Sequence, residues 1–146
     1  MKKIITVALT LYSATLFAAF PDWKNNPREG LEDNLIVGVA CEENMGDVAL
    51  DSDLATMAAR ASLAASLENM VQKDIFNDKK SESKKIIMEG KNEKVTTITR
   101  VAGSNAKQVV NQLLKYTWVM NNEIVDYKGD DHTCVRVVAK MPKIEG

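Results

Sequence analysis

The chain has little of what enzymes and nucleic-acid binders display. Its 146 residues include one histidine, His132, and two cysteines. No G-x-S-x-G elbow, glycine-rich phosphate loop or H-E-x-x-H occurs, which removes the common hydrolase, nucleotide-binding and zinc-protease signatures. Excess charge is missing too. Nineteen basic side chains against 20 acidic ones leave a formal net charge of −1. That balance excludes a basic stripe tracking nucleic acid or an anionic membrane. After the first residues no further long hydrophobic run appears, and no cysteine closes the first one, so neither a transmembrane helix nor a lipid anchor is expected.

What is present begins with MKKIITVALTLYSATLFAAF. Lys2 and Lys3 precede an apolar core from Ile4 to Phe17, followed by small Ala18 and Ala19. This is the pattern of a secretory signal peptide cleaved after Ala18 or Ala19. Residues 1–19 are therefore read as leader, 20–34 as an irregular arm, and 35–146 as a single domain. A periplasmic or secreted location follows, peripheral to the outer membrane at most. In an oxidising compartment the even pair Cys41 and Cys134 reads first as one disulfide, with two free thiols as the alternative. Cys41 ends the run LIVGVAC and Cys134 opens CVRVVAKM, so antiparallel pairing of the two strands would bring the cysteines together.

The order of elements predicts an α+β fold, an antiparallel sheet with two helices packed on one face. LIVGVAC reads as a buried strand whose Gly38 marks a bulge or a close backbone approach. A helix is expected from Leu54 to about Asp74, capped by Asp51, Ser52 or Asp53. Two strands follow in IIMEGKNEKVTTITRVA, then a helix from Ala106 to Leu114 capped by Ser104 or Asn105. YTWVMNN, EIVDY and TCVRVVAKM close the chain, with GDDH as a tight turn.

Chemistry-bearing residues are sparse. Asp130, Asp131 and His132 are consecutive, and neighbours in sequence rarely converge on one metal ion without other ligands. They read as a solvated turn, and neither a metal nor a cofactor is expected. No positioned base accompanies either cysteine, so no catalytic residue is assigned and the chain is not read as an enzyme.

One helix stands apart. ATMAARASLAASL, Ala55–Leu67, packs six alanines and two serines into little more than three turns. Alanine favours helix but buries little apolar area, which suits a helix that another backbone approaches closely. Leu54, Met57, Ala58, Ala61, Ala65 and Met70 are expected to face the sheet, with Leu63 and Leu67 broadening that face. Ala59 and Ser62, toward the other side, are candidates for a subunit contact. Trp23, the large residue of a polar arm, either folds back onto the domain or packs on another subunit.

PDW (Pro21–Trp23), IVGVA (Ile36–Ala40) and the Ala-rich segment with Arg60, followed by QKDIFND, together resemble the twenty-kilodalton outer-membrane lipoprotein family of Gram-negative bacteria. That family includes membrane-associated antigens of the Helicobacter type and a flagellar outer-membrane branch. The resemblance implies an envelope protein without catalytic residues, and in the flagellar branch a building block of periplasmic rings or disks. Two departures are plain. The lipidated cysteine of the family is missing, and the chain stops at MPKIEG where many members continue into a helix. Attachment through a protein partner then replaces attachment by lipid. The expected function is a non-enzymatic periplasmic structural or assembly protein, flagellar-associated or self-associating. The alternative is a soluble periplasmic or secreted module binding a peptide or cell-wall fragment beside the helices.

Overall fold

The computed structural model describes residues 19–73, 85–91, 95–99 and 106–145, the third of these as backbone only. The leader before Ala19, most of the charged connector and the expected caps Ser104 and Asn105 lie outside the described residues. In chain order the elements are α1 (Asp22–Asn25), β1 (Leu35–Glu43), α2 (Val48–Val71), β2 (Lys85–Glu89), β3 (Val95–Thr99), α3 (Ala106–Leu113), β4 (Trp118–Tyr127), β5 (Asp130–Lys140) and β6 (Lys143–Glu145). The class is α+β, as the pattern of elements predicts.

The strands form two antiparallel three-stranded sheets rather than one, ordered β1-β5-β4 and β3-β2-β6. The division falls at Met141–Pro142, between β5 and β6. Proline has no N–H to donate to a ladder, so β5 cannot run on through it. Glu89 of β2 ties the sheets together, accepting from Lys143 at 3.1 Å and Lys140 at 3.2 Å. Those two ammonium groups, Lys143 foremost, hold its carboxyl below the ordinary value.

β5 is the central strand of its sheet, and both of its faces are covered. Thr133, Val135, Val137 and Ala139 alternate with Cys134, Arg136 and Val138, and all seven are buried. A strand buried on both sides reads as an almost unbroken apolar run, which is how CVRVVA appears in the sequence. β4 and β5 form a hairpin closed by Lys128 and Gly129, whose φ angles of 59° and 94° are those of a type I′ turn. The turn is therefore not GDDH. Asp130, Asp131 and His132 open β5, paired with Tyr127, Asp126 and Val125. YTWVMNN and EIVDY also join into the single strand β4, with a register irregularity between Val119 and Asn121.

Helix α2 begins at Val48 rather than Leu54. Asp47 is the N-cap, its side chain accepting from the backbone N–H groups of Ala49 and Leu50. The buried stripe is Asp51, Ala55, Ala59, Leu63, Leu67 and Val71, one residue per four. The apolar part of this stripe, Ala55 to Val71, with Ile86, Met88, Val109, Val110, Leu113, Val135, Val137 and Ala139, makes a single contiguous core.

The phase of the helix corrects the expected face. Ala61 and Ala65 are exposed, and Leu54 and Met57 are 38% and 66% exposed. Apolar side chains lie all round α2, so periodicity alone does not choose a face. Gly38 chooses it. A Cβ on Gly38 would lie 2.5 Å from Leu63 N and 2.6 Å from Leu63 Cβ, and closer still to the Ala59 carbonyl oxygen. The helix backbone at Ala59 and Leu63 rests on the strand backbone at Gly38.

Candidate functional site

The sheet β1-β5-β4 has α2 on one face and the arm on the other. Even-numbered β1 residues turn toward α2, where Ile36 and Ala40 pack against the core. Odd-numbered residues turn toward the arm. The arm is held by Trp23 and Arg136. Trp23 is 9% exposed, its indole N–H donates to Glu123 Oε1 at 3.1 Å, and its ring lies 5.4 Å from the Arg136 guanidinium. Arg136 donates to Asn121 Oδ1 at 2.8 Å and to the carbonyl oxygens of Glu29 at 2.8 Å and Pro27 at 3.3 Å. Burial lowers its pKa from the usual value, while Glu123 and Glu29 oppose that shift. Phe20 adds a stack on Tyr127, ring centroids 4.2 Å apart, with His132 edge-on at 5.4 Å.

Arg136→Met is expected to release the arm. The variant keeps the side-chain bulk but leaves two arm carbonyls without their donor. Hydrogen bonds to a charged group contribute about 1.5–3 kcal/mol each, so a loss of at least ~2 kcal/mol in unfolding free energy is expected. The Trp23 emission should move to longer wavelength as its cover loosens. Unchanged stability and emission would show that the arm is held by other contacts.

Over β1 and β5 both faces are covered, and what is left open there is an edge. β1 is one of the two outer strands of its sheet, β4 being the other. The bonds Met141 N to Asn34 O and Asn44 N to Asp131 O fix the alternation of its ladder with β5. Residues 36, 38, 40 and 42 spend their backbone groups on β5, so those of Val37, Val39 and Cys41 point outward. No described residue pairs with them. Beside this edge lies an open groove of about 720 Å³. Val37, Val39, Ala40, Cys41 and Glu42 form its floor, Ala58, Ser62 and Ser66 of α2 one wall, and Lys24, Pro27 and Arg28 of the arm the other. Ala58, Ser62 and Ser66 repeat every four residues along one flank of α2, which keeps that wall low and smooth.

The expected site residues separate accordingly. Cys41 and Cys134 face each other in register across β1 and β5 and form the disulfide, Cα atoms 4.0 Å apart. Ser62 is exposed on the groove wall. Ala59 is corrected: it has no exposed surface and packs on β1, so no second subunit can touch it. Trp23 faces its own sheet rather than a neighbour. Sequence reasoning placed the alternative binding site beside the helices but did not identify the residues that line this groove. Its one visible signal is the A-x-x-x-S-x-x-x-S repeat at Ala58, Ser62 and Ser66.

His132 Nδ1 donates to the Asp130 carbonyl oxygen at 2.9 Å. Among the described residues no cluster of three or more His, Cys, Asp or Glu side chains is placed to hold a metal. Asp51 is buried in the first turn of α2, where the helix N-terminus favours a carboxylate. Its Oδ1 accepts from Met45 N at 2.9 Å, while its Oδ2 has no hydrogen-bond partner. Among the described residues, no helix is long and apolar enough to cross a membrane. Compared with protein-family models, curated proteins and solved structures, the chain matches none.

Proposed function

We propose that the protein is a non-enzymatic structural or assembly component of the bacterial envelope, exported to the periplasm and docking its partners by strand addition along β1. The observation that carries this reading is the free edge of β1 at the floor of an open groove. An exposed strand edge is a template for another chain, and proteins ordinarily blunt such edges with charge, proline or a covering segment. Here Val37, Val39 and Cys41 present backbone groups from an apolar strand, and among the described residues the covering elements stop at either side of it. Main-chain bonds would supply affinity and the groove walls selectivity.

Compartment and family point the same way. The leader-like start and the Cys41–Cys134 disulfide suit an oxidising compartment. The resemblance to the outer-membrane lipoprotein family, whose flagellar branch builds rings, makes a flagellar or outer-membrane-associated assembly the favoured setting. The second reading, a soluble module for an extended peptide, rests on the same edge, which accepts any strand.

A photo-cross-linking residue in place of Glu42, exposed at the end of the groove floor, in cells that make the protein, tests the reading. Lys107, exposed on α3 and away from the groove, serves as reference. Cross-links from position 42 to envelope proteins or to the protein itself are expected, well above those from position 107. Equal yields at both positions would remove strand addition as the mode of action.

A further inference from the structure

We infer that the strand accepted by β1 is the β1 of a second copy, paired antiparallel about a two-fold axis near Val39. This rests on the strand-addition reading above and names its occupant.

Three observations converge on self-pairing. The first is the backbone. With the axis at Val39, Val37 of each copy meets Cys41 of the other, and the outward groups of all three residues bond across the junction. An antiparallel ladder of that length adds about six hydrogen bonds. It would join the two sheets into one of six strands without disturbing any bond within either copy.

The second is room for the helices. Neighbouring strands lie about 4.8 Å apart, and α2 rests directly on β1 at Gly38. Joining two β1 strands therefore brings the two α2 helices side by side on one face, closer than helices with large facing side chains can pack. The flank that α2 turns toward the groove is Ala58, Ser62 and Ser66. Larger side chains there would hold the copies apart before the strands could bond. In a two-fold contact both helices offer the same patch, so one low wall serves both sides.

The third is charge, which also sets the direction. Arg28 is fixed at the start of β1 by its bond to the Leu35 carbonyl oxygen, 2.8 Å. Glu42 and Glu43, both exposed, stand at the strand's other end. Antiparallel self-pairing places Leu35 of one copy opposite Glu43 of the other, and so sets Arg28 beside the partner's acidic pair at both ends. The rival occupant is the other free edge, β4, which carries exposed Val119, Met120 and Ile124. β4 runs parallel to β1 in its own sheet, because β5 is antiparallel to both. Head-to-tail growth through β4 would thus set Glu123 and Asp126 alongside the Glu42–Glu43 end. Like charges placed opposite each other in a sheet are destabilising. Self-pairing of β1 avoids that conflict.

Sedimentation of the exported protein, with its disulfide formed, tests the inference. A dimer is expected at tens of micromolar. Val39→Pro should abolish it while leaving the fold intact, since the Val39 N–H takes no part in the ladder to β5. Ser62→Leu, on an exposed position, should also give a folded monomer. Arg28→Glu should weaken the dimer about tenfold or more, and adding Glu43→Arg should restore it. A wild-type protein that remains monomeric at about 0.1 mM overturns the inference. So does a dimer that survives both Val39→Pro and Ser62→Leu. The cross-linking experiment separates the two levels. Cross-links from position 42 to a different protein alone would leave strand addition standing and remove self-pairing, whereas equal yields at positions 42 and 107 would remove both.

Discussion

Replacing Gly38 with alanine is expected to lower the unfolding free energy by about 3 kcal/mol, the upper end of ordinary overpacking, and Gly38→Val should prevent folding. The reason lies in what the new Cβ meets. Two of its three nearest atoms are helix backbone, the Ala59 carbonyl oxygen and the Leu63 nitrogen. A flexible side chain can swing aside, whereas a helix held by its own hydrogen bonds moves only as a body. Moving α2 outward would open the whole stripe from Ala55 to Val71 and lose dense packing along it. Ala59→Leu should do similar damage from the helix side. Ala61→Leu, on the solvent side, should change stability by no more than ~0.5 kcal/mol. Thermal melting of the monomeric Val39→Pro background reads all of these without interference from self-association. Equal melting temperatures for the Gly38 and Ala61 variants would mean that α2 does not seat on β1 as described.

That contrast also measures what the sequence disclosed. The α+β class was legible because strand-like and helix-like patterns alternate and each carries an adequate core face. The Cys41–Cys134 bridge was legible because each cysteine sits at a strand end whose partner could be guessed. Gly38 was legible as a special position, a bulge or a close approach, and the contact with Ala59 and Leu63 decides for the approach. What the sequence hid was which side of α2 meets that glycine. Leu50, Leu54 and Met57 make an outward apolar stripe as convincing as the inward one of Ala55, Ala59 and Leu63. Helical periodicity distinguishes an apolar face only when the opposite face is polar.

The groove was hidden for a different reason. It is made of an absence, the unpaired side of β1, and strand order is set by the non-local pairing of β1 with β5. Nothing within LIVGVACEE marks it as an outer strand. The arm was also underread. Its anchor, Arg136, lies in the middle of CVRVVA, where a charge among apolar residues signals a specific partner that only the folded chain supplies: the carbonyl oxygens of Pro27 and Glu29.

Removing the disulfide by Cys41→Ala with Cys134→Ala is expected to cost about 2–5 kcal/mol, as for other exported domains of modest size. Its effect should centre on β1. The cysteines are 93 residues apart in the chain, so the bond constrains a long stretch of unfolded chain, which the chain-entropy relation values at about 4–5 kcal/mol. In the folded state the bond joins directly opposed residues near the end of β1, where β1 has β5 on one side and no described strand on the other. β4 and β5 keep their tight hairpin without it. Loss of the bond should therefore loosen β1 first: its amides should exchange faster while those of β4 remain protected, and the melting temperature should fall by roughly 10 °C. Dimerisation should weaken in parallel, since the edge that pairs is the strand being released. Reducing the wild-type protein should reproduce the double variant in melting, exchange and sedimentation. A protein that melts at the same temperature with and without reductant, its cysteines shown by mass to be open, would show that the ladder to β5 and packing on α2 hold β1 without the bond.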